Sequence, residues 1–155
     1  MAALHMVFRG TAAAGLAVDA YIHLKLAHQY APVASSTISE GTLFRIEATA
    51  AIVAALLVLL WRHRLGDRFA WLTAAAGLAA ILFYRYVDPG ALGPLPDMFE
   101  PIWFTDKVWA LVGQATALVA LTPMIAGRSR RHGGHRVHHQ AEDAAGGPVR
   151  DRPGA

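Results

Sequence analysis

Four apolar blocks, each long enough to cross a lipid bilayer, limit what this 155-residue chain can fold into. A hydrocarbon core is about 30 Å thick and a helix rises about 1.5 Å per residue, so about 20 apolar residues make one crossing. In lipid every backbone N–H and C=O needs an internal partner, which makes such blocks helices. The spacing predicts helices over about residues 10–28, 43–61, 69–87 and 103–125. The expected fold class is all-α. A four-helix transmembrane bundle fills residues 1–126, and a basic tail occupies 127–155.

The punctuation between the blocks agrees. Residues 29–42 (QYAPVASSTISEGT) are rich in turn formers, and RHRLGDR is a tight polar connection. The segment after helix 3 carries Pro89, Pro94, Pro96 and Pro101, which cannot stay helical. The tail is Gly-, Arg-, His- and Ala-rich with almost no apolar content, so it is expected to be disordered.

Charge sets the expected orientation. Arg9, Arg62, Arg64, Arg68, Arg128, Arg130, Arg131 and Arg136 fall on one side. The other side has Arg45, Arg85 and Lys107, balanced by acids. The positive-inside rule then places both termini in the cytoplasm, with the protein multi-pass in the inner (plasma) membrane. The net charge of +3 is spent at helix ends and in the tail, which argues against nucleic acid as a partner. The first apolar run carries Asp19, His23 and Lys25, so it reads as a spanning helix rather than a signal peptide.

Asp19 and His23 are the residues that most invite a functional reading. An ionisable group at mid-membrane costs roughly 2.5–3.5 kcal/mol on insertion scales, so it has a partner or a task. By rise per residue, Asp19 lies near the midplane and His23 one turn above it. Glu47 is about four residues into helix 2, and Gln114 lies about two turns into helix 4. These four are the candidate ligand or proton site. Lys25, Arg85, Asp106 and Lys107 are candidate supporting residues at the outer ends of the helices. The cytoplasmic halves of helices 2, 3 and 4 are nearly uncharged, so the expectation is a polar cavity opening outward above a dry inner half. A carboxylate one turn from an imidazole suits proton transfer or binding of a polar group, such as a quinone carbonyl or a lipid head. The plainer alternative is that the polar residues pair across helices and fix register, at about 0.6 kcal/mol per bond on average.

Small residues recur beside these polar positions and suggest close helix approach. They are Thr11 and Gly15 before Asp19; Ala50, Ala51 and Ala54 after Glu47; Thr73 and Gly77; and Ala110, Gly113 and Ala117 around Gln114. Other chemistries lack their residues. The chain has no cysteine, which removes disulfides, thiolate metal sites and Fe–S clusters. Bis-His haem needs two facing histidines, and only His23 is deep. Di-iron ligand sets are missing. The serines near the spans, Ser35, Ser36 and Ser39, are in a loop, so intramembrane serine proteolysis is not expected. No catalytic residue and no metal site is assigned. His132, His135, His138 and His139 in the tail read first as part of a basic segment near anionic lipid.

The layout over residues 8–125 resembles small bacterial four-helix membrane proteins of the DoxX-like kind. The residues that carry the resemblance are Gly15 with Lys25 and Leu26, and Glu47 in LFRIEATAAIV. Asp19, His23 and the Pro-rich loop 88–101 fall outside that pattern. The Ala-, Arg- and Gly-heavy composition also resembles membrane proteins of high-GC actinobacteria. The resemblance implies a quinone-linked redox setting as a class of partner, not an activity. Three functional expectations follow. The first is a non-catalytic or accessory membrane protein that holds a quinone-like or lipid ligand, or a partner subunit or second copy, at the polar site. The second is a small proton-coupled transporter. The third is a purely structural subunit of a membrane complex.

Overall fold

The computed structural model describes the backbone of residues 2–145 and the side chains of residues 3–126. Among the described residues the chain is helical, with no strand and two isolated bridges in loops. The helices are α1 (Ala2–Ala27), α2 (Glu40–Leu56), α3 (Arg64–Tyr86) and α4 (Thr105–Ala145), and a π-helical turn, Leu57–Trp61, continues α2. Three helical stretches are long and apolar enough to cross a membrane: Glu40–Trp61, Arg64–Tyr86 and Thr105–Ala126. Helix α1 has 26 residues and carries Asp19, His23 and Lys25.

Helices α2 and α3 begin three to five residues earlier than apolar content alone predicts, because caps and first-turn acids extend them. Ser39 caps α2 by accepting from the Thr42 N–H, and Glu40 supplies the acid of its first turn. His63 caps α3, with Asp67 in its first turn. Helix α1 starts at Ala2 rather than near residue 10. Helix α4 runs past Ile125 to Ala145, into the tail expected to be disordered. Ala, Arg and Gln, which recur there, are good helix formers. Residues 146–155 of that tail lie outside the described residues.

Helix α1 packs against α4 at backbone distance. A Cβ added to Gly15 would lie 2.5 Å from the Gly113 carbonyl oxygen, and one added to Gly113 would lie 2.6 Å from that of Gly15. Side chains at either position would hold the helices apart. The buried face of α1 here is Ala12, Gly15, Leu16 and Asp19; Thr11 is exposed and does not belong to it. On α2 the buried small face is Ala48, Ala51 and Ala54, while Ala50 turns partly outward.

Two apolar clusters fill the interior. The larger includes Ala12, Leu16, Ala51, Val58, Leu121 and Met124. The smaller joins Ile22, Leu26 and Ala110, with Phe44, Ile81 and Phe104 packed on it. On α1, Asp19 falls between Leu16 and Ile22; on α4, Gln114 falls between Ala110 and Ala117. A polar layer is therefore enclosed between two apolar ones.

Candidate functional site

The enclosed layer contains the four residues singled out in the sequence. Gln114 Nε2 donates to Asp19 Oδ1 at 2.7 Å, joining α4 to α1. His23 Nδ1 lies 3.0 Å from Asp19 Oδ1 and 3.0 Å from the Asp19 carbonyl oxygen. Both neighbours are acceptors, so Nδ1 carries the proton and donates. Asp19 and Gln114 have no exposed surface, and His23 keeps 8%. Glu47 is half-buried on α2 and interacts electrostatically with both Asp19 and His23.

Helix α3 contributes an absence. A Cβ on Gly77 would lie 2.7 Å from Glu47 Oε1 and would collide with the Gln114 amide. Glycine here lets the carboxylate and the amide approach one another over the α3 backbone. All four helices thus meet at one polar point: Asp19 and His23 from α1, Glu47 from α2, Gly77 from α3 and Gln114 from α4.

The layer has unused bonding capacity. Asp19 Oδ2, Glu47 Oε1 and Gln114 Oε1 are buried and have no hydrogen-bond partner. All three are acceptor oxygens. Buried polar atoms are partnered in the great majority of proteins, and an unmet one points to a ligand, a water or a proton. Two carboxylates with a neutral imidazole would also leave this layer negatively charged. What these three oxygens lack is a donor.

Packing beside this layer is close. The contact between Gly15 and Gly113 draws α1 and α4 together on one side, and the ring of Phe44 sits edge-on to His23 at 5.2 Å. The candidate supporting residues are engaged elsewhere. Lys25 pairs with Asp106 at 2.9 Å, largely in the open. Lys107 donates to the Glu100 carbonyl at 2.6 Å. Arg85 stacks over the rings of Tyr86 and Trp103, at 5.1 and 5.5 Å. At the same end of the helices Tyr30 donates to Glu100 at 3.4 Å. Burial, then the neighbouring charges of Glu100 and Glu40, push its phenol up to about 12.

A second buried polar contact lies apart from this layer. Arg9 and Asp67 form an ion pair at 3.0 Å, with both side chains almost fully buried. Arg9 also donates to the carbonyl of Val58. On α1 this pair is ten residues from Asp19, about 15 Å along the axis. Sequence reasoning placed Arg9 among the orientation charges and Asp67 in a turn. The available signal was the position of Asp67 four residues after His63, where a first-turn acid belongs.

No known protein family, curated protein or solved structure matches the chain.

Proposed function

We infer that this is a small, non-enzymatic integral membrane protein with four spans, α1 included, and both termini cytoplasmic in the inner membrane. Its working part is the buried layer of Asp19, His23, Glu47 and Gln114, which binds a proton and serves a proton-coupled process across or within the membrane. The observation that carries this reading is the set of three buried, unpartnered acceptor oxygens: Asp19 Oδ2, Glu47 Oε1 and Gln114 Oε1. A proton on either carboxyl supplies a donor, cancels one charge and needs no added volume. A larger ligand must first separate helices that leave no room for even a methyl group at Gly77.

The same valences weigh against a quinone carbonyl, which is itself an acceptor and meets none of them. The hydroxyl of a reduced quinol is a donor and would meet one. Asp19, held by Gln114 and His23, is the pre-organised member; Glu47, only half-buried, is the member placed to exchange.

Infrared difference spectra of the protein in liposomes, taken across pH steps, test the proposal. A carboxylic acid band should appear on acidification, and Asp19→Asn or Glu47→Gln should remove or shift it. A pH response with no band that depends on either residue would sink the proton reading. If the band responds instead to added quinol, the ligand reading takes its place. Co-purification of another membrane subunit that is lost in both variants would move the layer to assembly.

A further inference from the structure

A separate feature on the outside of the protein carries its own inference. Arg45 projects from α2 about 8 Å along the helix from Glu40, within a stretch apolar enough to cross a membrane. It is exposed, and its guanidinium has no hydrogen-bond or ion-pair partner among the described residues. A bare guanidinium on a lipid-facing helix is costly, and it is relieved only by reaching an anion or the headgroup layer.

Arg45 also stands at one end of a groove of about 410 Å³, which runs along Ile46, Thr49, Ala50 and Val53 to Phe69 on α3. From Arg45 to Val53 the helix rises about 12 Å. Ile46, Val53 and Phe69 expose apolar surface along this line. The hydroxyls beside it are already satisfied: Thr49 donates to the Arg45 carbonyl at 2.7 Å, and Thr42 shares a hydrogen bond with Ser39 at 2.9 Å. The groove therefore presents one cation at its head and hydrocarbon below.

We propose that this groove holds one phospholipid, with its phosphate on Arg45 and one acyl chain lying along Ala50 and Val53 toward Phe69. Guanidinium recognises phosphate through paired, charge-assisted hydrogen bonds that an ammonium cannot reproduce. The charge and the apolar groove together select an anionic head with an apolar tail. The site shares no residue with the Asp19 layer and does not depend on what that layer binds.

Native mass spectrometry in mild detergent, with phosphatidylglycerol or diacylglycerol added, tests this. The wild-type chain should retain one phosphatidylglycerol, at least five-fold more than diacylglycerol. Arg45→Gln should reduce phosphatidylglycerol retention about five-fold. Ala50→Phe, which fills the groove and leaves the arginine in place, should do the same. Ala50→Ile is the milder substitute if the phenylalanine lowers helicity or thermal stability. Unchanged retention in either the charge or the groove variant overturns the site. Equal retention of diacylglycerol overturns the phosphate contact, and a second copy of the chain in place of lipid overturns the choice of occupant.

Discussion

Arg9 and Asp67, 58 residues apart, form a buried ion pair that closes the α2–α3 connection onto α1. The π turn hydrogen-bonds Arg62 N–H back to the Leu57 carbonyl, and Arg62 then takes a left-handed conformation, φ 49°. The helix ends there, and the last carbonyls of a helix lack intrahelical partners. Arg9 fills that need at Val58 and brings a positive charge to the negative end of the α2 dipole. Asp67 brings a negative charge to the first turn of α3. One side-chain pair thus complements two helix ends.

Removing one partner leaves the other's buried charge without its counter-charge. Breaking a buried pair costs about 3–5 kcal/mol, whereas replacing both members with apolar residues is often neutral. Arg9→Ala and Asp67→Asn should each lower unfolding stability by about that much, and Arg9→Leu with Asp67→Leu should recover most of it. Denaturant titration in detergent micelles measures all three. Single variants within about 1 kcal/mol of wild type would show the pair to be dispensable.

The α1–α4 contact makes a steric prediction. The atom facing a new Cβ at Gly15 is a backbone carbonyl, which cannot rotate away as a side chain would. Gly15→Val should force the helices apart at a cost of about 1–3 kcal/mol, typical of overpacking. It should also loosen the Asp19–Gln114 bond one turn further on. Thermal unfolding reads the first effect, and amide exchange at residues 113–117 reads the second.

Most of the architecture was legible because lipid leaves few choices. Apolar length finds three helices able to cross a membrane, and proline fixes the long connection after α3. Asp19, His23, Glu47 and Gln114 could be grouped from depth alone, since rise per residue is constant. Closure of that layer was not legible, because it depends on which small residues meet; Gly15 meets Gly113 and Thr11 faces outward. The Arg9–Asp67 pair was hidden for a different reason. A charge near a helix end reads the same in sequence whether it faces water or a partner.

Tyr30 offers a pH test in the loop between α1 and α2. Its phenol is pushed up from 10.0 to about 12, first by burial and then by the carboxylates of Glu100 and Glu40. The folded state therefore holds this proton more tightly than the unfolded chain. The stabilisation is complete below pH 10 and is lost as pH rises toward about 12. Ultraviolet titration of tyrosinate should show one late-ionising component, absent in Tyr30→Phe. The variant should also lose less stability than wild type between pH 10 and 12. Ionisation of all tyrosines together near pH 10 would refute the assignment.

The bond between Gln114 and Asp19 decides whether the polar layer is a weak register device or a built site. Hydrogen bonds between membrane helices average about 0.6 kcal/mol and reach about 1.7, because the unfolded state in lipid also finds partners. Here the bond is 2.7 Å long, and neither residue has exposed surface. Its acceptor is a carboxylate, and charge-assisted bonds are roughly twice as strong as neutral ones. The coupling energy should therefore lie near the upper limit, at about 1–2 kcal/mol. A double-mutant cycle with Gln114→Leu and Asp19→Asn, followed by unfolding in micelles, measures it directly. A coupling below about 0.6 kcal/mol would assign Gln114 to packing and leave Asp19 without its pre-organising partner.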